Sequence, residues 1–146
     1  MVEIRTPQNE QEWESYYDLR FRVLRAPLSQ ARGSEKNDGD STGIHFALFE
    51  NDKIQAIARL DLMENKIAQV RFVAVDFDLQ GKGYGKKIML ATETKSEEFG
   101  IEKIILHARD YAVDFYLHLG YQWIEPSYKL FDVLQHFLME KKVKTI

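Results

Sequence analysis

The alternation of apolar and polar residues predicts that the chain opens with a short strand and continues with a helix. Residues 2–5 alternate between apolar and polar types, as in a strand that is buried on one face. Asn9 followed by Glu12 is typical of a helix start. Apolar side chains then recur at helical spacing up to Leu24, and Pro27 ends the predicted helix.

The pattern changes to β-strands at residue 44. Apolar runs at 44–50, 54–61 and 67–75 are separated by polar turn residues, which predicts an antiparallel meander. Residues 29–43, which precede the meander, have no periodicity. A segment of this length inside a compact domain is either a functional loop or disordered, and the sequence favours neither.

The second half of the chain mixes helices and strands. A glycine-rich segment at 81–85 precedes a predicted helix at 86–99, and residues 104–106 form a short apolar strand. Asp110 is a plausible N-cap for a further helix that ends at Gly120.

Two final strands, at 121–125 and 129–141, are predicted to form a hairpin across Pro126 and Ser127. The order of elements predicts an α/β sandwich, in which helices pack on a mixed sheet. With 146 residues, no repeat and no linker, a single domain over 1–146 is expected.

Composition narrows the classes of function. The chain has no cysteine, which excludes disulfides, a thiolate zinc site and a cysteine nucleophile, and no metal site is predicted. The net charge of −3 argues against nucleic-acid binding. The basic cluster Lys141, Lys142 and Lys144 is interpreted as a solvated tail. Without an apolar membrane span or signal segment, the sequence predicts a cytoplasmic protein with no membrane partner.

The strongest chemical signal is a loop in which every second residue is glycine. After the strand at 67–75 the sequence reads Gln80-Gly81-Lys82-Gly83-Tyr84-Gly85-Lys86. Glycines permit positive φ and close approach of a ligand to the backbone. The helix start behind them offers free N–H groups and the positive end of its dipole, which suits a pyrophosphate. A glycine-rich turn without a ligand is the alternative interpretation.

Three phosphate-binding patterns can be compared with this loop. The P-loop pattern fails because Gln80 stands at its first glycine and Lys87 at its Ser/Thr position. The dinucleotide fingerprint fails because its third glycine comes one residue early. Gln80, Gly83 and Gly85 match Q/R-x-x-G-x-G/A, and the loop therefore resembles the acyl-CoA loop of the GNAT acetyltransferases. A nucleotide-phosphate binder of another fold remains an alternative.

A second segment also resembles the GNAT family. The run from Ala112 to Tyr121 reads AVDFYLHLGY, similar to the signature A-x-x-F-Y-x-x-x-G-F/Y. One helix and one strand separate the two signatures, as in the family, and the resemblance covers about 44–141. A weaker likeness to the ElaA-like branch would bring a further set of side chains near the acceptor, with surface charge as the alternative: Arg20, Glu35, Asp38 and His136.

The resemblance implies a fold and an activity. The fold would be a three-layer sandwich with a mixed, mostly antiparallel central sheet flanked by helices. The activity would be acyl-CoA-dependent N-acyl transfer, from acetyl-CoA to the amine of a small molecule or peptide. A homodimer is possible. A catalytically silent CoA-binding sensor of the same fold is the alternative, and the acidic surplus is only a weak indication of cationic acceptors.

The resemblance also implies roles for individual residues. Tyr116 would donate a proton to the leaving thiolate. Arg109 stands where many members have an asparagine, so it would either reach a phosphate or be an ordinary strand-end arginine. Backbone contacts to the cofactor are implied for two segments: Val73, Ala74 and Val75, which would pair with the pantetheine arm, and Gln80, Gly81, Lys82, Gly83, Tyr84, Gly85 and Lys86, which would hold the pyrophosphate.

A base is needed for the acceptor amine. His107 is the first candidate, because it lies on the strand at 104–108, next to the expected split in the sheet, and its ordinary pKa suits the task. An ordinary packed histidine is the alternative interpretation. Weaker candidates for the base are spread over several other strands and turns: His45, Asp61, Glu64 and His136.

Overall fold

A computed structural model describes residues 1–143 of the chain. These residues form seven strands and three α-helices. The strands are β1 (Val2–Arg5), β2 (Ile44–Glu50), β3 (Lys53–Leu62), β4 (Ile67–Val75), β5 (Lys103–Arg109), β6 (Gln122–Leu130) and β7 (Leu134–Lys142). The helices are α1 (Glu10–Leu24), α2 (Tyr84–Glu98) and α3 (Val113–His118). Within residues 1–143, no helix is both long and apolar enough to cross a membrane.

The strands form one sheet in the order β1-β2-β3-β4-β5-β7-β6. Neighbouring strands of the described sheet are antiparallel except β4 and β5, which run parallel. Helix α1 covers one face of the sheet, where Tyr16, Leu19 and Val23 pack on Ile57 and Ala74. Helices α2 and α3 cover the opposite face. The predicted three-layer arrangement with a mixed, mostly antiparallel sheet is therefore confirmed.

The sheet is split between β4 and β5. These two strands pair only at residues 67–69 of β4 and 103–105 of β5. Both strands continue beyond that point, to Val75 and Arg109, without a common ladder. Because parallel strands end at the same edge of a sheet, a V-shaped gap opens toward their carboxyl ends.

A β-bulge at Phe72 interrupts β4. Ile57 lies opposite Ala74 and Arg59 lies opposite Arg71, so two residues of β4 face one residue of β3. Phe72 has a φ of 55°, which is unusual for a residue with a bulky side chain. The extra residue leaves both Arg71 and Phe72 on the α1 face of the sheet.

Buried ion pairs order the segment 29–43, for which the sequence left disorder open. Arg20 and Arg59 are fully buried, and both donate to the carboxylate of Asp40, at 2.9 Å and 2.7 Å. The backbone N–H of Asn37 also donates to Asp40, at 3.0 Å. The segment is thus held against α1 and β3 by charge-assisted hydrogen bonds.

Two sequence predictions at helix starts have different outcomes. The Asn9 side chain accepts a hydrogen bond from the Glu12 N–H at 2.9 Å, which confirms the predicted cap of α1. Asp110 is not an N-cap, because it begins a short 3-10 turn, and α3 starts after Ala112 without a side-chain cap.

The predicted turn of the last hairpin is wrong. Pro126 lies inside β6, and the chain turns at Phe131 and Asp132, which both have positive φ. Strand β6 lies at the edge of the sheet, where a proline that donates no hydrogen bond is tolerated.

The interpretation of the C-terminal lysines as a solvated tail is also wrong for Lys141. This residue belongs to β7, and its Nζ donates to the Glu93 carboxylate at 2.9 Å and to the Leu119 carbonyl at 2.7 Å. Lys142 also belongs to β7, and Lys144 lies outside the described residues.

Candidate functional site

A cleft of roughly 1000 Å³ occupies the split between β4 and β5. Its lining includes residues 69–75 of β4, residues 106–109 of β5 and part of the glycine-rich loop. The cleft thus joins the two faces of the sheet, and most of the residues that the sequence singled out surround it.

The glycine-rich loop turns the chain from β4 into α2. Gly81 and Gly83 have φ values of 81° and 88°, in the region that L-residues with a side chain avoid. Gly83 caps α2, and its carbonyl accepts the first helical hydrogen bond, from Lys87 at 3.1 Å. The N–H groups of the first helical turn therefore have no partner within the helix.

Close packing requires glycine at position 85. A Cβ added there would lie 3.0 Å from the Phe115 ring and 3.6 Å from a Val75 methyl group. The start of α2 consequently lies directly on α3 and on the end of β4. Free helical N–H groups and the positive end of the dipole meet in this narrow place, which makes an anion-binding cradle.

Two side chains fix the ends of the cradle. The Tyr84 hydroxyl donates to a Glu50 carboxylate oxygen at 2.7 Å, which ties the helix start to the end of β2. The Gln80 amide donates to the Val75 carbonyl at 3.2 Å. Tyr84 and Lys82 are placed at the loop without lining the cleft, whereas other predicted residues of this segment line it: Gln80, Gly81, Gly83, Gly85 and Lys86.

The backbone of β4 alternates between the sheet and the cleft. Asp76 N–H donates to the Gln55 carbonyl at 3.0 Å. By antiparallel alternation, Ala74 then pairs with Ile57, and the N–H and C=O of Val75 face away from β3, toward the split. Val73 also lines the cleft. The Ala74 backbone, predicted to contact the cofactor, is instead directed to β3.

Tyr116 lies on α3 at the wall of the cleft and is 7% exposed. Burial raises the pKa of Tyr116 above its ordinary value, so its hydroxyl is protonated at neutral pH and can only donate or share a proton. Tyr121 lies beside it, 5.8 Å away between ring centroids, but outside the cleft lining. The Tyr121 hydroxyl is buried without a partner among the described residues.

His107 and His136 lie together in the cleft, on the α1 face. Burial and the nearby positive charge of Arg71 lower the pKa of His107. Burial also lowers the pKa of His136, an effect that the Leu134 carbonyl opposes and Arg109 reinforces. Both rings are therefore neutral at pH 7, and the buried Nδ1 of His107 has no partner among the described residues. The Tyr128 ring stacks on His136 at 4.5 Å.

Three arginines also line the cleft. The sequence indicated only Arg109, whose guanidinium donates to the Leu24 carbonyl at 2.8 Å. Arg25 and Arg71 were missed as site residues, as were Phe72 and Tyr128. No local motif could have found them, because α1, β4 and β6 bring them together over long distances along the chain.

Other candidates from the sequence do not reach the cleft. His45 is buried beneath α1, where its Nδ1 shares a hydrogen bond with the Tyr16 hydroxyl at 2.7 Å. Asp61 forms an ion pair with Arg59. Glu64 is exposed in the turn between β3 and β4. Of the four residues in the ElaA-like likeness, only His136 lines the cleft. Arg20 and Glu35 are buried, contrary to the interpretation as surface charge, whereas Asp38 is exposed.

A family model of the acetyltransferase (GNAT) domain matches residues 15–143. A UPF0039 protein of Schizosaccharomyces pombe is 35% identical over 91 residues, which are 61% of this chain and 60% of that protein. The match thus spans less than two thirds of this relative's length. The uncharacterized N-acetyltransferase YitI of Bacillus subtilis is 22% identical over 138 residues, 90% of this chain and 93% of that protein.

Solved structures share the fold at low sequence identity. A candidate N-acetyltransferase of Lactobacillus plantarum has a TM-score of 0.84 and 18% identity, with 99% of this chain and 98% of that chain covered. Escherichia coli ElaA has a TM-score of 0.82 and 18% identity, with 97% of this chain and 99% of that chain covered. An aminoglycoside 6'-N-acetyltransferase complexed with coenzyme A has a TM-score of 0.82 and 12% identity, with 100% of this chain and 98% of that chain covered.

Identities this low show the fold alone. The family model, in contrast, matches nearly the whole chain. Its match includes the glycine-rich loop at the start of α2 and the α3 segment around Tyr116, which are the two segments that carry the resemblance in the sequence. The chain belongs to the GNAT acetyltransferase family.

Proposed function

We propose that the protein is an acetyl-CoA-dependent N-acetyltransferase that transfers the acetyl group directly to an amine. The observation that carries the proposal is the split between β4 and β5, which ends at the anion-binding cradle of α2. A cleft that joins a free strand edge to a helix N-terminus suits a long ligand with an anionic head and an amide-containing arm.

The residues around the cleft fit coenzyme A. Gly81, Gly83 and the first N–H groups of α2 would hold the pyrophosphate, since no side chain fills the space beside either glycine. The N–H and C=O of Val75 face the split. The C=O, which also accepts from the Gln80 amide, would pair with the pantetheine arm, and the N–H would lie at the thioester end. Acetyl-CoA supplies an activated thioester. The absence of cysteine agrees with direct transfer, because no thiol of the protein can take up the acyl group.

The chain itself supplies the proton transfers. A new N–C bond forms at the acceptor amine while the C–S bond breaks, so the amine loses a proton and the sulfur gains one. His107 is neutral at pH 7 and lines the cleft, where its imidazole accepts the proton from the amine. Tyr116 keeps its proton at neutral pH and donates it from Oη to the sulfur. The Val75 N–H stabilises negative charge on the reacting carbonyl oxygen.

Release of free thiol from acetyl-CoA tests the proposal, with a thiol-reactive dye as the detector. Because the protein has no cysteine, it contributes no background to this assay. We expect thiol release that requires both the protein and an amine from a broad panel. Tight binding of CoA without any release would instead identify a catalytically silent sensor of the same fold. Stronger competition by ATP than by CoA would indicate another nucleotide ligand.

Tyr116→Phe tests the proton donor. Turnover is expected to fall by about 10²-fold, while the Kd of CoA changes little because the ring remains in place. Tyr121→Phe is the matched control, since it removes a buried tyrosine hydroxyl that lies outside the cleft lining. If the two variants have equal turnover, Tyr116 is not the acid.

A further inference from the structure

The arginines of the described chain fall into two groups. Those outside the cleft each form an ion pair with an aspartate or glutamate: Arg5, Arg20, Arg22, Arg32 and Arg59. Arg25, Arg71 and Arg109 line the cleft, and none of the three has a carboxylate partner within residues 1–143. The protein has a net charge of −3, so acidic side chains are abundant enough to pair with every arginine. The lack of a carboxylate beside these three arginines therefore distinguishes this part of the cleft.

The three guanidinium groups converge on one place. Arg25 and Arg109 both donate to the Leu24 carbonyl, at 3.3 Å and 2.8 Å. Arg25 and Arg71 both lie over the Phe72 ring, at 5.6 Å and 5.3 Å from its centroid. Like charges this close repel one another, and burial together with the charge of Arg109 lowers the pKa of Arg25. An anion among them would relieve that repulsion.

The position of this cluster separates it from the cofactor cradle. On β5, Leu106 and Ala108 face α2, so His107 and Arg109 point to the opposite, α1 face. Arg71 also lies on the α1 face, opposite Arg59 across the β3–β4 pair. The glycine-rich loop begins α2 on the other face. The arginines therefore surround the acceptor end of the cleft, and no aspartate or glutamate lines any part of it within the described chain.

We propose that the acceptor is an amine that also carries an anionic oxygen group, a carboxylate or a phosphate, and that Arg25, Arg71 and Arg109 bind this group. The inference rests on the proposed N-acetyl transfer and names its substrate class. Guanidinium groups suit planar carboxylates and phosphates through paired N–H donors. The indication of cationic acceptors from the net charge is thereby reversed, because a polyamine would meet three unpaired positive charges.

The same charges assist the chemistry of the amine. A protonated amine cannot attack, and nearby positive charge disfavours its ammonium form. Burial keeps His107 neutral by lowering its pKa, and the charge of Arg71 adds to this effect. One cluster thus binds the anionic group, favours the free amine and keeps the candidate base able to accept a proton.

Acceptors in matched sets test the inference by thiol release. Glycine and phenylalanine are each compared with their carboxamide and their decarboxylated amine, and phosphoethanolamine is compared with ethanolamine. We expect kcat/KM to be roughly tenfold or more higher for the anionic member of the preferred set. The carboxylate and phosphate arms show which oxyanion is used. Equal or higher kcat/KM for the neutral and cationic members would overturn the inference while leaving acetyl transfer intact.

Histidine NMR tests the anion site without turnover. N-acetylglycine, N-acetylphenylalanine and inorganic phosphate are titrated, with the carboxamides of the two N-acetyl amino acids as uncharged controls. A bound anion offsets the arginine charges, so it should raise the pKa of His107 and His136. His45, which bonds the Tyr16 hydroxyl and lies outside the cleft lining, serves as the internal reference. If no anion moves either ring, the site is refuted. If anions move them but no amine is acetylated, the proposed function fails instead.

Arg71→Gln is the cleanest variant, because no ion pair or hydrogen bond to the described residues holds the Arg71 side chain. KM for the anionic acceptor should rise about tenfold, with kcat changed much less. The pKa of His107 should rise in the same variant. Arg32→Gln is the matched control, since it removes the same charge from an exposed side chain outside the cleft. An unchanged KM in Arg71→Gln would contradict the assignment.

Discussion

Asp40→Asn perturbs the buried charges that hold segment 29–43 against α1 and β3. The Asp40 carboxylate accepts from Arg20 at 2.9 Å and from Arg59 at 2.7 Å, and both guanidinium groups are fully buried. The neutral amide leaves two buried cations with less compensation. Removing one partner of a buried pair costs about 3–5 kcal/mol. Because Asp61 still pairs with Arg59, we expect the lower end, about 3 kcal/mol.

Urea unfolding followed by circular dichroism measures this loss. For a slope of about 2 kcal/mol/M, a loss of about 3 kcal/mol lowers the urea midpoint by about 1.5 M. Asp38→Asn is the matched control, since it removes an exposed carboxylate from the same short turn. Equal midpoints for the two variants would refute the view that Asp40 compensates two buried cations.

The pH dependence of the same comparison gives an independent check. Burial alone would raise the pKa of Asp40, but hydrogen bonds from Asn37, Arg20 and Arg59 outweigh it, so the pKa is lowered from its ordinary 3.8. A lowered pKa stabilises the fold above the unfolded value and loses that contribution as pH falls through the folded value. The difference between wild type and Asp40→Asn should therefore be complete above pH 5 and shrink below pH 4.

Three further predictions concern the cleft and its supports. Gly85→Ala should weaken CoA binding in calorimetry, because the new Cβ meets the Phe115 ring at 3.0 Å; a smaller side chain at 115 should restore affinity, and unchanged affinity in Gly85→Ala would argue against the cradle. The kcat/KM profile should rise with pH through a pKa below 6.5, since burial and Arg71 lower that of His107; a profile insensitive to His107→Gln would exclude this base. Lys141→Met should lower the free energy of unfolding by about 1–3 kcal/mol in urea, because Glu93 and the Leu119 carbonyl lose their donor; an unchanged midpoint would mean that water replaces it.

Much of the fold could be predicted because its signals are local. The strands of the meander and helix α2 follow from periodicity, and the cap of α1 follows from Asn9. The last hairpin could not be placed, because its turn uses Phe131 and Asp132 at positive φ, where glycine or asparagine would have given a signal. Pro126 is a usual turn residue, yet it lies inside an edge strand.

The site was predictable only where a motif is contiguous. The glycine-rich loop and the segment around Tyr116 are each a single run of sequence, so their resemblance to the family could be read directly. The cationic cluster could not be predicted from the sequence, since Arg25 follows α1, Arg71 lies in β4 and Arg109 ends β5. Each arginine alone is typical of a solvent-exposed position, and only the tertiary fold shows that none of the three has a carboxylate partner among the described residues.

The bulge at Phe72 links the two ends of the cleft. In a regular strand, neighbouring side chains point to opposite faces, so Arg71 and Phe72 could not both face α1. The extra residue places both there, and Arg71 and Arg25 then share the Phe72 ring. It also resets the alternation, so that Val73 and Val75 pack toward α2 while the Val75 N–H faces the split. One residue at positive φ therefore lets a single strand present a guanidinium on the α1 face, the proposed acceptor side, and direct the Val75 N–H into the split, where we propose that acetyl-CoA binds.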